Sequence, residues 1–242
     1  MSHTPHPTSA RLHVSSHPLI LSKLTQLRLH DLPAKDFREG VKAVASLLTY
    51  EASRTLPLHP VPDLQSPIAP FTGHAIPLRI GLSPILRAGI GMTDAALELF
   101  PDATVLHLGL FRDKVTLQAI EYYSKLPTTV TADLVFLLDR QSPRAACRRS
   151  RAILTSPCFP ALIATGGTAI AALNMLTDWG LSQSQIKIIS VLGSKQGIDN
   201  LAEEFPEVEI WIGAVDDQLT DKGYISPGLG DSGDRLFNTH SK

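Results

Sequence analysis

Four short strings in this chain hold residue types suited to phosphate and base chemistry. The most informative is Ala161-Leu-Ile-Ala-Thr-Gly-Gly-Thr-Ala169. Two adjacent glycines let backbone N–H groups approach an anion, and a following helix adds the positive end of its dipole. Thr165 and Thr168 add hydroxyl donors. The second string, Pro84-Ile-Leu-Arg-Ala-Gly89, offers Arg87 just past an apolar run, where its guanidinium can meet a phosphate. The third, Gly109-Leu-Phe-Arg-Asp-Lys114, offers Arg112 and Lys114 to a phosphate or pyrophosphate. The fourth, Gly223-Tyr-Ile-Ser-Pro-Gly-Leu-Gly-Asp-Ser-Gly-Asp-Arg235, forces a defined backbone path. Such a path presents N–H and C=O groups to a planar heterocycle, with Asp231 or Asp234 adding a carboxylate. Each string alone also has a plainer reading: a surface arginine, a solvated charged turn, a glycine turn without a ligand, or a flexible loop.

The elements that must position these strings follow from periodicity. Residues 18–52 read as helical, with Phe37, Val41, Val44 and Leu48 on one face. Residues 55–77 contain six prolines and read as an extended arm or irregular loop outside the core. From there strands and helices alternate. Strands are predicted at 78–82, 104–111, 119–123, 134–138, 186–192 and 208–215. Helices are predicted at 89–100, 168–179 and 196–205. The alternation implies an α/β fold, a mostly parallel sheet flanked by helices. The continuous apolar run Leu134–Leu138 suits a strand covered on both faces. Ligands of such sheets sit at the carboxyl ends of the strands, where all four strings fall. Residues 216–237, rich in Gly, Asp and Pro, read as a functional loop.

Composition bounds the function. The 242 residues suit one large α/β domain over 11–242, and 43% hydrophobic residues suffice for its core. A formal net charge of −1 gives no bulk electrostatic case for nucleic acid or a membrane surface. No apolar run approaches the roughly 18–20 residues that span a bilayer. Residues 1–10 lack the apolar core of a signal peptide and read as a disordered tail, so a cytoplasmic protein is expected. The nine histidines are scattered, without a pair at metal-ligand spacing.

One segment breaks the pattern. Residues 140–159 separate the strand-ending Asp139 from the Thr-Gly-Gly-Thr turn that should follow it closely. They hold both cysteines, Cys147 and Cys158, and five of the 22 basic residues, but no acid. Pro143 and Pro157 interrupt them, and no helical or alternating pattern is present, so a poorly ordered loop is expected.

Together the strings closely resemble the uracil phosphoribosyltransferase family, of the type I phosphoribosyltransferase fold. The resemblance adds Phe37-Arg, Leu47-Leu-Thr-Tyr-Glu-Ala52 and Glu121-Tyr-Tyr-Ser-Lys-Leu-Pro127, and runs from about residue 11 apart from 140–159. It implies conversion of uracil and 5-phosphoribosyl 1-diphosphate (PRPP) to UMP and pyrophosphate, with Mg²⁺. By motif, Arg87 and Arg112 would meet the pyrophosphate, and Asp139 would hold the ribose hydroxyls directly or through Mg²⁺. Ala164, Thr165, Gly166, Gly167 and Thr168 would cradle the 5′-phosphate. Tyr224, Ile225, Gly230, Asp231 and Ser232 would read uracil, largely through the backbone, with Asp231 also near PRPP. Asp139, Asp231 and Arg112 are the expected catalytic residues. The 55–77 arm falls where the family has a dimer-forming arm, which implies a homodimer or larger homo-oligomer. GTP binding belongs to the same implications, without an assigned residue. Ser232 stands where alanine is common. The larger departure is the interruption: removing 140–159 leaves Leu-Leu-Asp-Pro-Ala-Leu-Ile-Ala-Thr-Gly-Gly-Thr, a clean family motif. Foreign composition and flush ends suggest an unspliced short intron or a gene-model error, with a regulatory insertion as the alternative. Two other readings keep the fold: a non-catalytic PRPP or nucleotide sensor, and an interaction domain using 140–159 as a basic docking loop.

Overall fold

The computed structural model describes residues 11–112, 119–139, 166–220 and 224–239. The tail 1–10, the segment 140–159, Ala164 and Thr165 lie outside the described residues.

Strand β1 (Leu12–Val14) precedes helices α1 (Pro18–Leu27) and α2 (Ala34–Ser53). The hairpin β2 (His59–Gln65) and β3 (Pro70–Ala75) comes next, then β4 (Ile80–Leu86) and α3 (Ile90–Leu99). Strands β5 (Thr104–Val105), β6 (Leu108–Arg112), β7 (Ala119–Ser124) and β8 (Leu134–Asp139) lead towards α4 (Gly167–Trp179). The chain continues through β9 (Ile186–Ser190), β10 (Gly193–Ser194), α5 (Lys195–Glu204), β11 (Glu209–Ile212) and β12 (Val215–Asp216). It closes with β13 (Gln218–Leu219), β14 (Ile225–Ser226) and α6 (Ser232–Phe237).

The main sheet runs β1-β11-β9-β8-β4-β6-β7, with β5 beside β4. Its pairings from β1 to β6 are parallel, and β7 returns antiparallel to β6. The expected α/β fold is therefore the one observed. Alternation along β8 explains its fully apolar run. Leu134, Phe136 and Leu138 pack with α1, α2 and α3 on one face, while Val135 and Leu137 pack with α4 and α5 on the other. Burying both faces places β8 at the centre of the molecule, and its carboxyl end at the middle of the functional edge.

Several boundaries differ from the sequence reading. Residues 18–52 form two helices, because Pro33 lacks an N–H and disfavours helix at Leu32; it serves as the N-cap of α2. The predicted α2 face holds, with Phe37, Val41, Val44 and Leu48 fully buried. The strand expected at 78–82 runs from Ile80 to Leu86, so Pro84 lies inside it and Arg87 is the first residue beyond. The strand expected at 104–111 is two pieces, β5 and β6, and β1 carried no periodic signal in three residues. The stretch 55–77 folds as an antiparallel ribbon whose Ile68 is 94% exposed. Two strands with free edges accommodate Pro60, Pro62 and Pro70, which a central strand would not.

Candidate functional site at the carboxyl edge of the sheet

The site begins where β4 and β8 end side by side, with Pro84 opposite Leu138. Arg87 leaves β4 through a cis Leu86–Arg87 peptide, and the turn closes with the Gly89 N–H donating to the Ile85 carbonyl at 2.8 Å. A Cβ on Gly89 would lie 2.5 Å from the Leu138 carbonyl oxygen. Only glycine lets this turn press against the residue that precedes Asp139. The next strand, β6, lies beside β4 with Gly109 opposite Leu86, and Arg112 is its last residue.

Asp139 ends β8 opposite Ser190 of β9 and is 5% exposed. Burial alone pushes its carboxyl up to about 7. Once ionised, a carboxyl there can accept from two hydroxyls or meet a cation; protonation removes the charge and leaves a weaker acceptor.

The Thr-Gly-Gly-Thr turn resumes at Gly166, which caps α4 with φ of 82°. Its Cβ would lie 3.0 Å from the Gly197 carbonyl oxygen, so positive φ and close approach both demand glycine. Gly167 and Thr168 open α4, whose first N–H groups lack intrahelical acceptors and suit an anion.

The fourth string is more structured than a loop. Tyr224 closes the β13–β14 hairpin: its N–H donates to Thr220 Oγ1 at 3.0 Å and its carbonyl accepts from the Thr220 N–H at 2.8 Å. Ile225 is 3% exposed and belongs to the hydrophobic core, which leaves its backbone for recognition. Gly228 and Gly230 have φ of 59° and 65°, and a cis Ser226–Pro227 bond precedes them. Asp231 is the N-cap of α6 and accepts the Asp234 N–H at 2.8 Å. Burial pushes its carboxyl up to about 6, against the pull of the Asp234 and Gly233 N–H groups and of Arg87. Ser232 is fully buried. The Arg87 guanidinium also lies 5.9 Å from the Phe237 ring, on the same short helix. Arg87 thus links the β4–α3 turn to helix α6.

Sequence reasoning missed the residues that hold this loop. Arg28 and Asp216 form a two-pronged ion pair at 2.7 and 2.8 Å. Arg235 donates to the carbonyls of Leu27, Leu29 and Leu229, above the Phe37 ring at 3.9 Å. Arg38 donates to the Leu236 carbonyl at 2.7 Å. The available signal was weak: Asp216 is another acid at the end of a strand, and Arg28 follows an amphipathic helix.

A parallel sheet bearing an arginine turn, a strand-ending acid and a glycine-opened helix at one edge defines a type I phosphoribosyltransferase fold. A family model described as uracil phosphoribosyltransferase matches residues 14–239. A uracil phosphoribosyltransferase of Roseiflexus sp. (strain RS-1) is 44% identical over 95% of this chain and 99% of its own length. One of Bacillus thuringiensis (strain Al Hakam) is 42% identical over 95% and 99%. A solved structure, the AQ2163 protein of Aquifex aeolicus, superposes with a TM-score of 0.79 at 32% identity, covering 96% of this chain and 100% of that one. The chain belongs to the uracil phosphoribosyltransferase family.

Proposed function

We propose that this enzyme transfers the 5-phosphoribosyl group of PRPP to uracil, releasing UMP and pyrophosphate. The observation that carries the reading is the convergence around Arg87: its turn packs on β8 beside Asp139, and its charge is felt by Asp231. An anion-binding group, a ribose-facing acid and a base loop are the parts this transfer needs.

The C1′–oxygen bond to pyrophosphate breaks while the C1′–N1 bond to uracil forms. Negative charge grows on the leaving group, where Arg87 and Arg112 act, and positive charge grows on the ribose. Asp139 holds the ribose hydroxyls. Ala164 to Thr168 cradle the 5′-phosphate. The backbone of Ile225 and Gly230–Ser232 fixes the uracil edge and brings N1 to C1′, so positioning supplies much of the rate. The N1 proton leaves with the pyrophosphate. Oxygen donors such as Asp139 and Asp231 suit Mg²⁺, a cation that commonly binds through one or two carboxylates plus substrate phosphates. Bound with PRPP, it would neutralise charge on the departing pyrophosphate.

The enzyme works as a homodimer or larger homo-oligomer, built through the 55–77 ribbon. The exposed side chains of Leu64, Ile68 and Phe71 support that reading. It acts in the cytoplasm; among the described residues no helix is long and apolar enough to cross a membrane. GTP binding stays an implication of the resemblance. Arg87, Asp139 and Asp231 all stand at the edge, which favours an enzyme over a sensor. Residues 140–159 are foreign to the enzyme and impair it. A product assay decides the substrate: with PRPP and Mg²⁺, uracil yields a nucleotide and adenine or hypoxanthine does not. Equal turnover of a purine would overturn the assignment.

A further inference from the structure

We infer that Arg28 and Asp216 are positioning residues for the pyrimidine, acting through the backbone of Gly228. The inference rests on the reading of 224–232 as the base loop and adds to it two residues from distant parts of the chain. Asp216 is only 8% exposed. Arg28 engages both of its carboxylate oxygens, through Nη1 at 2.8 Å and Nη2 at 2.7 Å. The same pair takes both peptide groups of Gly228. Asp216 Oδ2 accepts the Gly228 N–H at 2.9 Å, and Arg28 Nη1 donates to the Gly228 carbonyl at 3.0 Å.

The geometry fits a positioning role. Gly228 sits between the cis Ser226–Pro227 bond and Gly230, two residues before the predicted contact with the base edge. Arg235 takes the carbonyl of the next residue, Leu229, at 2.8 Å and ties it to the Leu27 and Leu29 carbonyls. Two consecutive loop residues are thus fixed from the end of α1. A guanidinium fork held against a carboxylate is planar and directional, so it sets orientation more strictly than a lysine does. A loop that reads a base with its own backbone lacks side-chain play to absorb an error. A displacement of about 1 Å can cost roughly a hundredfold. Arg87, Asp139 and α4 stand on other elements, so the error falls mainly on uracil and reaches PRPP only through Asp231, more weakly.

The test is steady-state kinetics of the full chain with labelled uracil, comparing Arg28→Met, Asp216→Asn and the double variant. Equilibrium dialysis with labelled UMP gives a second reading that does not need turnover. The expected result is a rise of about tenfold or more in the KM for uracil, with the KM for PRPP moving less than about threefold. The double variant should be little worse than either single, because both break one unit. Arg28→Lys should recover part of the loss. Hydrogen exchange should quicken in 224–230 while β8 and β9 stay protected. Gly230→Ala, strained by its φ of 65°, serves as the reference. If Gly230→Ala raises the uracil KM and the clamp variants do not, the clamp inference is overturned alone. If none of them changes it, the base-loop reading fails with it. Equal rises in both KM values, with lost protection across the sheet, would assign the pair to stability and overturn the proposal.

Discussion

The proposed phosphate half and the proposed base half of the edge are built on different principles. The phosphate half places each group at the end of a regular element: Arg87 after β4, Arg112 at the end of β6, Asp139 at the end of β8, Gly166 at the start of α4. The core fixes those ends. The base half, from Asp216 to Phe237, has only short elements among its described residues; Arg28 and Arg38 reach its backbone from outside, and Arg235 reaches out to the carbonyls of Leu27 and Leu29. Rigid element ends suit charge stabilisation, where direction and depth of the field matter. A clamped backbone loop suits recognition of a flat, neutral base by its edge. Disturbing the first half should damage PRPP use and turnover; disturbing the second should damage chiefly uracil use, Asp231 excepted, since it is read as facing PRPP as well.

Asp139→Asn should produce the largest loss, roughly a hundred- to a thousandfold in kcat/KM for PRPP, the scale of removing one group that stabilises charge. A comparable loss in the KM for uracil alone would break the division between the halves. Deleting 140–159 should raise UMP formation by about a hundredfold, since the segment parts Asp139 from the phosphate turn and small misplacements are costly. Equal activity with and without it would identify a tolerated insertion. Arg87→Ala should weaken PRPP use about ten- to a hundredfold without unfolding the protein, the worth of one charge-assisted contact.

The pH response should be smaller and should come from the two buried acids. With Asp139 held near 7 and Asp231 near 6, kcat/KM for PRPP should rise with pH and level off above about 7. Asp139→Asn should remove the upper inflection. Stability should move the other way. The raised folded value means the native state keeps a proton that the unfolded chain loses at about 4, so Asp139 lowers stability as pH rises from about 4 to 7. Urea midpoints at pH 5 and pH 8 should therefore converge in Asp139→Asn relative to the unmodified chain.

The same contrast explains what the sequence made legible. Asp139 could be placed because six consecutive residues of β8 are buried, and a run of that kind marks a central strand ending at the ligand edge. Gly166 could be placed because a glycine pair just before a helical pattern marks a tight turn, and the structure gives it a positive φ against a neighbouring backbone. The order of strands and helices followed from periodicity, while Arg87 was placed near a strand whose ends were misjudged by a few residues. Arg28 and Asp216 stayed invisible because they meet across 188 residues of sequence and their other partner is the backbone of Gly228, which leaves no local pattern. Helix α6 was hidden in a glycine-rich stretch, where its six residues show no period and its N-cap, Asp231, looked like a ligand-binding acid alone.

The most direct measurement of the central claim is a crystal structure of the chain with UMP. The phosphate is expected on the N–H groups of Gly166 to Thr168, the ribose against Asp139, and the uracil edge on the backbone of Ile225 and Gly230–Ser232. A nucleotide bound away from this edge, or bound with its base on α4 and its phosphate on the 224–232 loop, would contradict it.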